Sequence, residues 1–429
     1  MLGLKESEKM RRLFFGGVHP DDKKELSSNN MSFQTIVPEK VIIPLKQHIG
    51  IGCNPIVEEG DYVLRGQKIA DGEGLCVPVH SSVSGYIEKI EQNEKGISVI
   101  IKNDFLEKTM SYDKFDNNDL VGFIREKGIV GMGGASFPTY AKISSAINKI
   151  DTLIANGCEC EPYITSDDVL LRTKAENVLN GIRELSKFLK PGRLVLAIED
   201  NKVEAIKKLR ELQKDYNEIE IKVLSTRYPQ GSEKQLIQAV TGREVPPSGL
   251  PVDVNCVVFN VTTLAAVYDA ITTGMPSIER IVTVSGEGVK NPQNFIVKVG
   301  TPVETLINAA GGLNDNVSLV INGGPMMGTT LNDLSSPVTK STNSILCLID
   351  EKENNFKKCI RCGKCLNVCP MKLQPIYLYR FANVESFKKL EKLNLLDCIG
   401  CGACSYICPA KLPLAETFRK AKIKMKEVK

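Results

Sequence analysis

The chain has 429 residues, with 55 Lys and Arg against 51 Asp and Glu and a formal net charge of +4. Charge this evenly balanced argues against a nucleic-acid binder. A composition 42% hydrophobic and 25% charged is that of a folded chain with a sizeable core, and the length allows roughly three domains of usual size.

The first residues, MLGLKESEKMRRLFFGG, lack an apolar stretch long enough for a secretory signal. The most apolar long window, Val257 to Thr273, is interrupted by Asn260 and Asp269 and reads as a buried core element rather than a membrane span. Residues 1–33 are polar and mixed and read as an extended arm with turns. From Val41 to Ile101 short β runs alternate with Gly, Asp and Asn turns, as in VIIPL, VPVHSSVSGYIEKIE and ISVIIK. Within this stretch, EEGDYVLRGQ and SSVSGYI resemble the biotinyl/lipoyl-type barrel-sandwich module. The hairpin where that family carries a modifiable Lys reads ADGEGLC here, so a rigid packing module is expected rather than a swinging carrier.

From Gly128 to about Thr273 apolar β-like runs (DTLIANG, RLVLAIE, IEIKVLS, VNCVVFNV) alternate with helix-like runs. The latter are TYAKISSAINKI, VLLRTKAENVLNGIRELSKFL, NKVEAIKKLRELQKDY and SEKQLIQAVTG. That alternation predicts an α/β domain with a mainly parallel sheet, whose ligands collect at the carboxyl ends of the strands. Residues 280–313, with RIVTVSGEGVKNPQNF, resemble the soluble-ligand-binding β-grasp module. The chain ends in FRKAKIKMKEVK, read as a solvated last helix in preference to a docking tail.

Fourteen cysteines are many for a chain of this kind, and eight fall in two groups. Cys359, Cys362, Cys365 and Cys369-Pro370 form a C-x₂-C-x₂-C-x₃-C-P run, repeated by Cys398, Cys401, Cys404 and Cys408-Pro409. Three thiolates on one tight loop suit the corner of an iron–sulfur cubane, and the fourth Cys of each run ligates the other cluster. The expected sets are Cys359, Cys362, Cys365 and Cys408 for one [4Fe–4S] cluster, and Cys369, Cys398, Cys401 and Cys404 for the other. Structural zinc uses two ligand pairs, and a third close Cys followed by Cys-Pro is not its pattern. Each fourth Cys is expected at the start of a helix. Grouping at metal-ligand spacing also points to a reducing compartment.

Clusters carry single electrons, so exchange with a hydride donor needs a converter. Gly131-Met132-Gly133-Gly134-Ala135-Ser136-Phe137-Pro138 offers a glycine-rich loop whose backbone N–H groups can approach a phosphate or a flavin edge. Asn156-Gly157-Cys158-Glu159-Cys160-Glu161-Pro162, Gln230-Gly231-Ser232-Glu233 and Asn260-Val261-Thr262-Thr263 each follow an apolar strand. In this order the four motifs resemble the flavin-binding subunit of complex I. The resemblance implies FMN held by Gly131, Gly133, Gly134, Lys142, Asn156, Asn260 and Thr263, with Lys142 at its phosphate. It implies contact of Phe137, Glu161 and Glu233 with the nicotinamide nucleotide. Departures from the family pattern are Met132, Ser136, Cys158, Cys160 and Ser232. Taken by themselves, Glu159 and Glu161 read as charge placed at a helix N-terminus, and Cys158 and Cys160 as small packing residues. His19, His48 and His80 read as structural, and Cys53, Cys76, Cys256 and Cys347 as isolated and inert.

Over nearly its whole length the motif order, from FFGGVHP through PLKQHIG, GMGGASFP, YPQGSEKQ and GGPMMG to the two cysteine runs, resembles the RnfC family of the Rnf electron-transport complexes. That resemblance implies a multidomain α/β plus β chain. Its expected parts are an N-terminal arm (1–33), a barrel-sandwich hybrid (34–105), a Rossmann-like α/β FMN/NAD domain (106–275), a β-grasp (SLBB) domain (276–348) and an α-helical two-[4Fe–4S] ferredoxin-type domain (349–429). It implies a membrane-associated, peripheral subunit on the cytoplasmic face of an ion-translocating ferredoxin:NAD⁺ oxidoreductase. The expected partners are the other subunits, NAD(H) and, indirectly, ferredoxin; sodium or protons are the coupling ion. Flavin and clusters carry the chemistry, so no protein general acid or base is expected. The alternative is a soluble NADH-dependent iron–sulfur flavoprotein feeding an amino-acid reductase of the proline type.

Overall fold

The computed structural model describes residues 14–30, 34–94, 96–116, 118–349 and 357–427. At its centre lie four strands, Thr152–Gly157, Arg193–Glu199, Ile219–Leu224 and Cys256–Asn260, each parallel to its neighbours. Their near-continuous apolar character suits a sheet covered on both faces. Leu153, Ala155, Leu196, Ile198 and Phe259 pack on one side with helices Ala175–Leu189 and Val261–Thr273. Ile154, Val195, Ala197 and Val258 pack on the other against Leu236, Ile237 and Val240 of helix Glu233–Thr241.

The sheet order sets the site. The chain lays down Thr152–Gly157, moves outward through Arg193–Glu199 and Ile219–Leu224, then crosses back to place Cys256–Asn260 on the opposite side of the first strand. The crevice at such a reversal is where open α/β sheets bind ligands. Asn156 and Asn260 are register partners at this spot, at the carboxyl ends of their strands.

The single helical run expected over 169–189 is two helices, Ser166–Thr173 and Ala175–Leu189, parted by the non-helical backbone of Lys174. The break frees the second helix to lie close along Val261–Thr273. At Gly181 a Cβ would stand 2.2 Å from the Leu264 carbonyl oxygen, so the approach requires glycine.

The barrel-sandwich module pairs a four-stranded antiparallel sheet (Lys40–Pro44, Gly96–Asn103, Gly85–Asn93, Tyr62–Val63) with a three-stranded one (Asn54–Pro55, Lys68–Asp71, Val79–His80). Val41, Ile43, Val63, Ile69, Ile87, Val99 and Ile101 fill the space between them. The β-grasp unit is a six-stranded sheet in the order Gln34–Ile36, Gln293–Lys298, Glu279–Ser285, Ser344–Ile349, Val317–Asn322, Thr329–Thr330, with helix Val303–Ala309 against it. Gln34–Ile36, expected to open the barrel-sandwich module, pairs instead with Gln293–Lys298, and Ile36 is buried in the β-grasp core. A three-residue strand carries too little pattern to say which sheet it joins.

In the last segment, helices Pro375–Ala382, Phe387–Lys392 and Leu414–Glu427 gather Leu378, Leu390, Leu414, Phe418 and Met425 around Leu395 and Leu412. Cys369 and Cys408 do not begin helices. They follow the one-turn helices Lys364–Asn367 and Ala403–Tyr406. The prolines after them disfavour helical backbone at the cysteine, and the next helices open at Pro375 and Leu414. The described part of the arm is packed against the body: Phe14 is 1% exposed and Val18 bridges Tyr228 in antiparallel sense. Residues 1–13 and 31–33 of the expected arm lie outside the described residues. Among the described residues, no helix is long and apolar enough to cross a membrane.

Candidate functional site

The glycine-rich loop closes on itself. The Gly131 N–H donates to the Phe137 carbonyl at 2.8 Å, and Val130 bridges Pro138. The tip, Gly133 to Ala135, is exposed, while Met132 and Ser136 are buried on either side. Thr263 anchors the loop by accepting from the Met132 N–H at 2.9 Å. A Cβ on Gly133 would come 3.1 Å from the Asn260 Cβ, and Gly134, at φ +118°, faces open space. The loop is therefore a shallow glycine cradle above the strand reversal, and its shape fits a flat ligand. Asn260 caps helix Val261–Thr273, its Oδ1 accepting from the Thr262 N–H at 2.9 Å, and its Nδ2 donates to Asp167 at 2.7 Å. Asn156 donates to the Gly231 carbonyl at 2.8 Å.

Lys142, expected at the FMN phosphate, and Glu233, expected at the nicotinamide, form one ion pair at 2.7 Å; Lys142 also donates to the Val258 carbonyl at 3.0 Å. Phe137 meets the loop through its carbonyl. The two acidic residues of the NGCECEP stretch part company. The Glu159 carboxylate accepts from the Asp167 N–H at 2.7 Å, at the N-terminus of helix Ser166–Thr173, as charge placement predicts. Glu161 turns the other way, accepting from the Met326 N–H at 3.1 Å and lying 3.3 Å from the Tyr228 hydroxyl. Burial pushes its carboxyl up to about 7, against the hydrogen bonds that favour the charged form.

The eight clustered cysteines line two cavities. Cys369, Cys398, Cys401 and Cys404 line one, with Pro370, Ile399 and Phe418. Cys359, Cys362, Cys365 and Cys408 line the other, with Ile360 and Tyr379. Each cavity thus takes three sulfurs from one run and the fourth from the other. Eight thiols around two apolar pockets are a donor set suited to iron–sulfur cubanes.

The surroundings of the two pockets differ. The Cys398 loop lies against the α/β domain, where Tyr228 reaches 2.7 Å from the Cys401 carbonyl oxygen and packs with Val18, Cys160 and Met326. A Cβ on Gly402 would stand 2.8 Å from the Met326 carbonyl. Gln235 donates to the Pro370 carbonyl at 3.3 Å and the Gly17 N–H to Val368 at 2.8 Å. At the other pocket Cys359 and Cys362 are exposed, as are Lys357, Lys358, Arg361 and Lys364.

Sequence reading missed several members of this site. Arg280, from a β-grasp strand, donates to the Met132 carbonyl at 3.3 Å and to the Lys340 carbonyl beneath the glycine loop; burial draws its guanidinium down to about 10. Lys24, from the arm, donates to the Glu161 carbonyl at 3.0 Å and to Ile164. Asp167 binds both Asn260 and Thr262. Tyr228 stood in the quoted YPQGSE run, and the hydroxyl's two neighbours lie 67 and 173 residues away in sequence, so no local signal marked it. The buried side-chain amide of Gln230 has no hydrogen-bond partner among the described residues.

Comparison with known families matches residues 12–105 to the RnfC barrel sandwich hybrid domain, 124–269 to the Nuo51 FMN-binding domain, 281–330 to the SLBB domain and 358–412 to the 4Fe-4S dicluster domain. The chain is 40% identical to the C subunit of the Na(+)-translocating ferredoxin:NAD(+) oxidoreductase complex of Acetobacterium woodii, over 90% of each chain. It is 38% identical to the proton-translocating counterpart of Clostridium ljungdahlii, over 90% of this chain and 88% of that one. The C subunit of an ion-translocating oxidoreductase complex of Haemophilus influenzae is 41% identical over 97% of this chain, which spans 53% of that longer protein. Among solved structures, the air-oxidized NAD+-reducing [NiFe]-hydrogenase shares the fold at a TM-score of 0.52 and 19% identity, over 71% of this chain and 60% of the other.

Proposed function

This chain belongs to the RnfC family, the C subunits of ferredoxin:NAD(+) oxidoreductase complexes, and from that premise we propose that it is the NAD-reactive subunit of an ion-translocating complex of this kind. It passes electrons between NAD(H), FMN and two [4Fe–4S] clusters, and docks peripherally, on the cytoplasmic face of its membrane partners. When bound, FMN exchanges a hydride with the nicotinamide and single electrons with iron.

The residues divide the work as follows. Gly131, Gly133 and Gly134 bring backbone N–H groups up to the flavin without a Cβ between them. Asn156, Asn260 and Thr263, which hold that loop and the strand ends in place, would complete the flavin site. Lys142 would meet the flavin phosphate in place of its present pairing with Glu233, and Glu233 would contact the nicotinamide nucleotide with Phe137. Glu161, expected at the nicotinamide nucleotide, is engaged in this structure by two neighbouring loops. It joins the GGPMMG loop to Tyr228, and Tyr228 to the Cys401 backbone.

The observation that carries this reading is that Tyr228 contact. It sets the Cys369, Cys398, Cys401 and Cys404 pocket directly against the flavin-type domain, making it the inner of two cluster sites. The Cys359, Cys362, Cys365 and Cys408 pocket is the outer one, open to partner subunits. Its rim of Lys357, Lys358, Arg361 and Lys364 fits an acidic redox partner. The cluster segment over residues 357–427 supports this. Against Glu385, Glu391, Asp397, Glu416 and Glu427 it sets three times as many lysines and arginines, in a chain of net charge +4.

Anaerobic purification with cluster loading tests the proposal. About eight irons and one FMN per chain are expected, with bleaching of both on adding NADH. A colourless protein, or one holding zinc at those thiols, contradicts it.

A further inference from the structure

The barrel-sandwich module buries a second sulfur site. His48, Cys53 and Cys76 place their ligating atoms within 4.8 Å of one another, all three side chains buried. In sequence the two cysteines stand 23 residues apart and look isolated; the fold brings their Sγ atoms to 2.8 Å.

Three observations decide what such a site does. Two thiolates on one tetrahedral zinc, each at about 2.3 Å from the metal, stand about 3.8 Å apart, farther than this pair. Both ring nitrogens of His48 are engaged: Nε2 accepts from the Val77 N–H at 3.0 Å, and Nδ1 lies 3.1 Å from the Ile49 carbonyl oxygen. A metal on either nitrogen breaks one of these bonds. The buried ammonium of Lys340, which donates to the Gly128 carbonyl at 2.7 Å, acts on Cys53 as a positive charge. That charge repels a metal cation, although at Cys53 burial and the neighbouring Cys76 outweigh it and push the thiol well up, keeping it protonated while the fold is closed.

We propose that Cys53 and Cys76 are a reversible dithiol–disulfide pair, a covalent modification site oxidised by low-molecular-weight disulfides. Cys53 is 3% exposed and Cys76 fully buried, so attack by Cys53 comes first and requires the covering loops to open. Its thiolate displaces one thiol from the small disulfide and forms a mixed disulfide; Cys76 then displaces the second thiol. Two protein thiols give up two electrons and two protons, and one small disulfide becomes two small thiols.

The loops that carry the pair also hold exposed residues. Ile49 and Ile51 are 54% and 59% exposed, and Gly50 lies so close to Leu75 that a Cβ would stand 2.1 Å from its carbonyl oxygen. The same two loops brace the flavin-type domain. The Ile49 N–H donates to the Ser136 carbonyl at 3.2 Å, Tyr140 to the Gly74 carbonyl at 3.2 Å and Arg125 to the Gly72 carbonyl at 2.8 Å. A bond between Cys53 and Cys76 therefore staples the wall behind the glycine-rich loop. The staple's bearing on flavin rests on the proposed function; the disulfide itself does not.

The test uses anaerobic, cluster-loaded protein incubated with oxidised glutathione, alkylated in denaturant and digested with trypsin. Peptides 47–65 and 69–89 are expected as one cross-linked species, lighter by two hydrogens than their sum and separated again by dithiothreitol. Cys53→Ala and Cys76→Ala each abolish it while iron content stays unchanged. Backbone amides of 49–53 and 75–77 are expected to exchange several-fold more slowly in the oxidised protein. Two alkylated peptides after prolonged oxidation overturn the proposal. So does one equivalent of zinc or copper that Cys53→Ala removes. NADH oxidation enters none of these readouts, so the outcome is separable from that of the electron-transfer reading.

Discussion

The two cysteine runs share one spacing, one Cys-Pro ending and one short helical turn, yet they occupy unlike places. The Cys398 run is pressed against the α/β domain by Tyr228, Val18 and Met326. The Cys359 run leaves two of its sulfurs exposed among cations. Identical local chemistry thus yields an inward site and an outward one. The difference comes from what each loop is packed against. Burial and neighbouring dipoles tune cluster potentials, so the two sites are expected to differ in potential as well as in access.

Removing a ligand tests that division with the largest effect. Cys401→Ser is expected to abolish NADH-dependent bleaching at both cluster sites, whereas Cys362→Ser leaves the inner one reducible. Low-temperature electron paramagnetic resonance after NADH addition distinguishes them, and equal residual signals in the two variants break the inner–outer assignment.

Next in size is the inner contact at Glu161. Its carboxyl is raised from the ordinary range to about 7, so ionising it costs more in the folded chain than in the unfolded one. That cost is absent below about pH 4.5, grows as pH rises and is complete above about 7. Wild-type protein is expected to lose about 3 kcal/mol across this window relative to Glu161→Gln. Denaturant midpoints of the two proteins at acid and neutral pH measure it, and parallel midpoints sink the assignment.

At the outer site, reversing Lys357, Lys358 and Arg361 to Glu is expected to slow reduction of an acidic ferredoxin about tenfold at low salt. Reduction of a small neutral quinone stays unchanged, and the difference fades at high salt. A salt-independent loss with both acceptors argues for damage to the cluster rather than lost docking. The smallest effect is expected from Tyr228→Phe, about 1 kcal/mol of stability from the hydroxyl between Cys401 and Glu161. Thermal unfolding reads that loss, and the same substitution shifts the inner cluster's signal while sparing the outer one.

Much of this was legible in the chain. The strand–helix alternation gave the central sheet because a buried parallel strand must be apolar on both faces. The single helix expected over 169–189 fails at Lys174, and the second of the two helices packs through Gly181 against Leu264. Lys142 and Glu233, read as contacts to two different ligands, turn out to hold each other. Gln34–Ile36 was too short to announce its sheet.

Cluster chemistry was fixed by the sequence itself, because three thiolates on one short loop meet a cubane through local chain geometry alone. The glycine-rich loop and its order among the strands were legible in the sequence too, but its anchoring by Thr263 and Arg280 was not. Which cysteine pocket lies against the α/β domain, which way Glu161 turns, and that Cys53 meets Cys76 were settled by tertiary packing. These depend on residues far apart in the chain, and their proximity is decided by how whole layers bury their apolar faces.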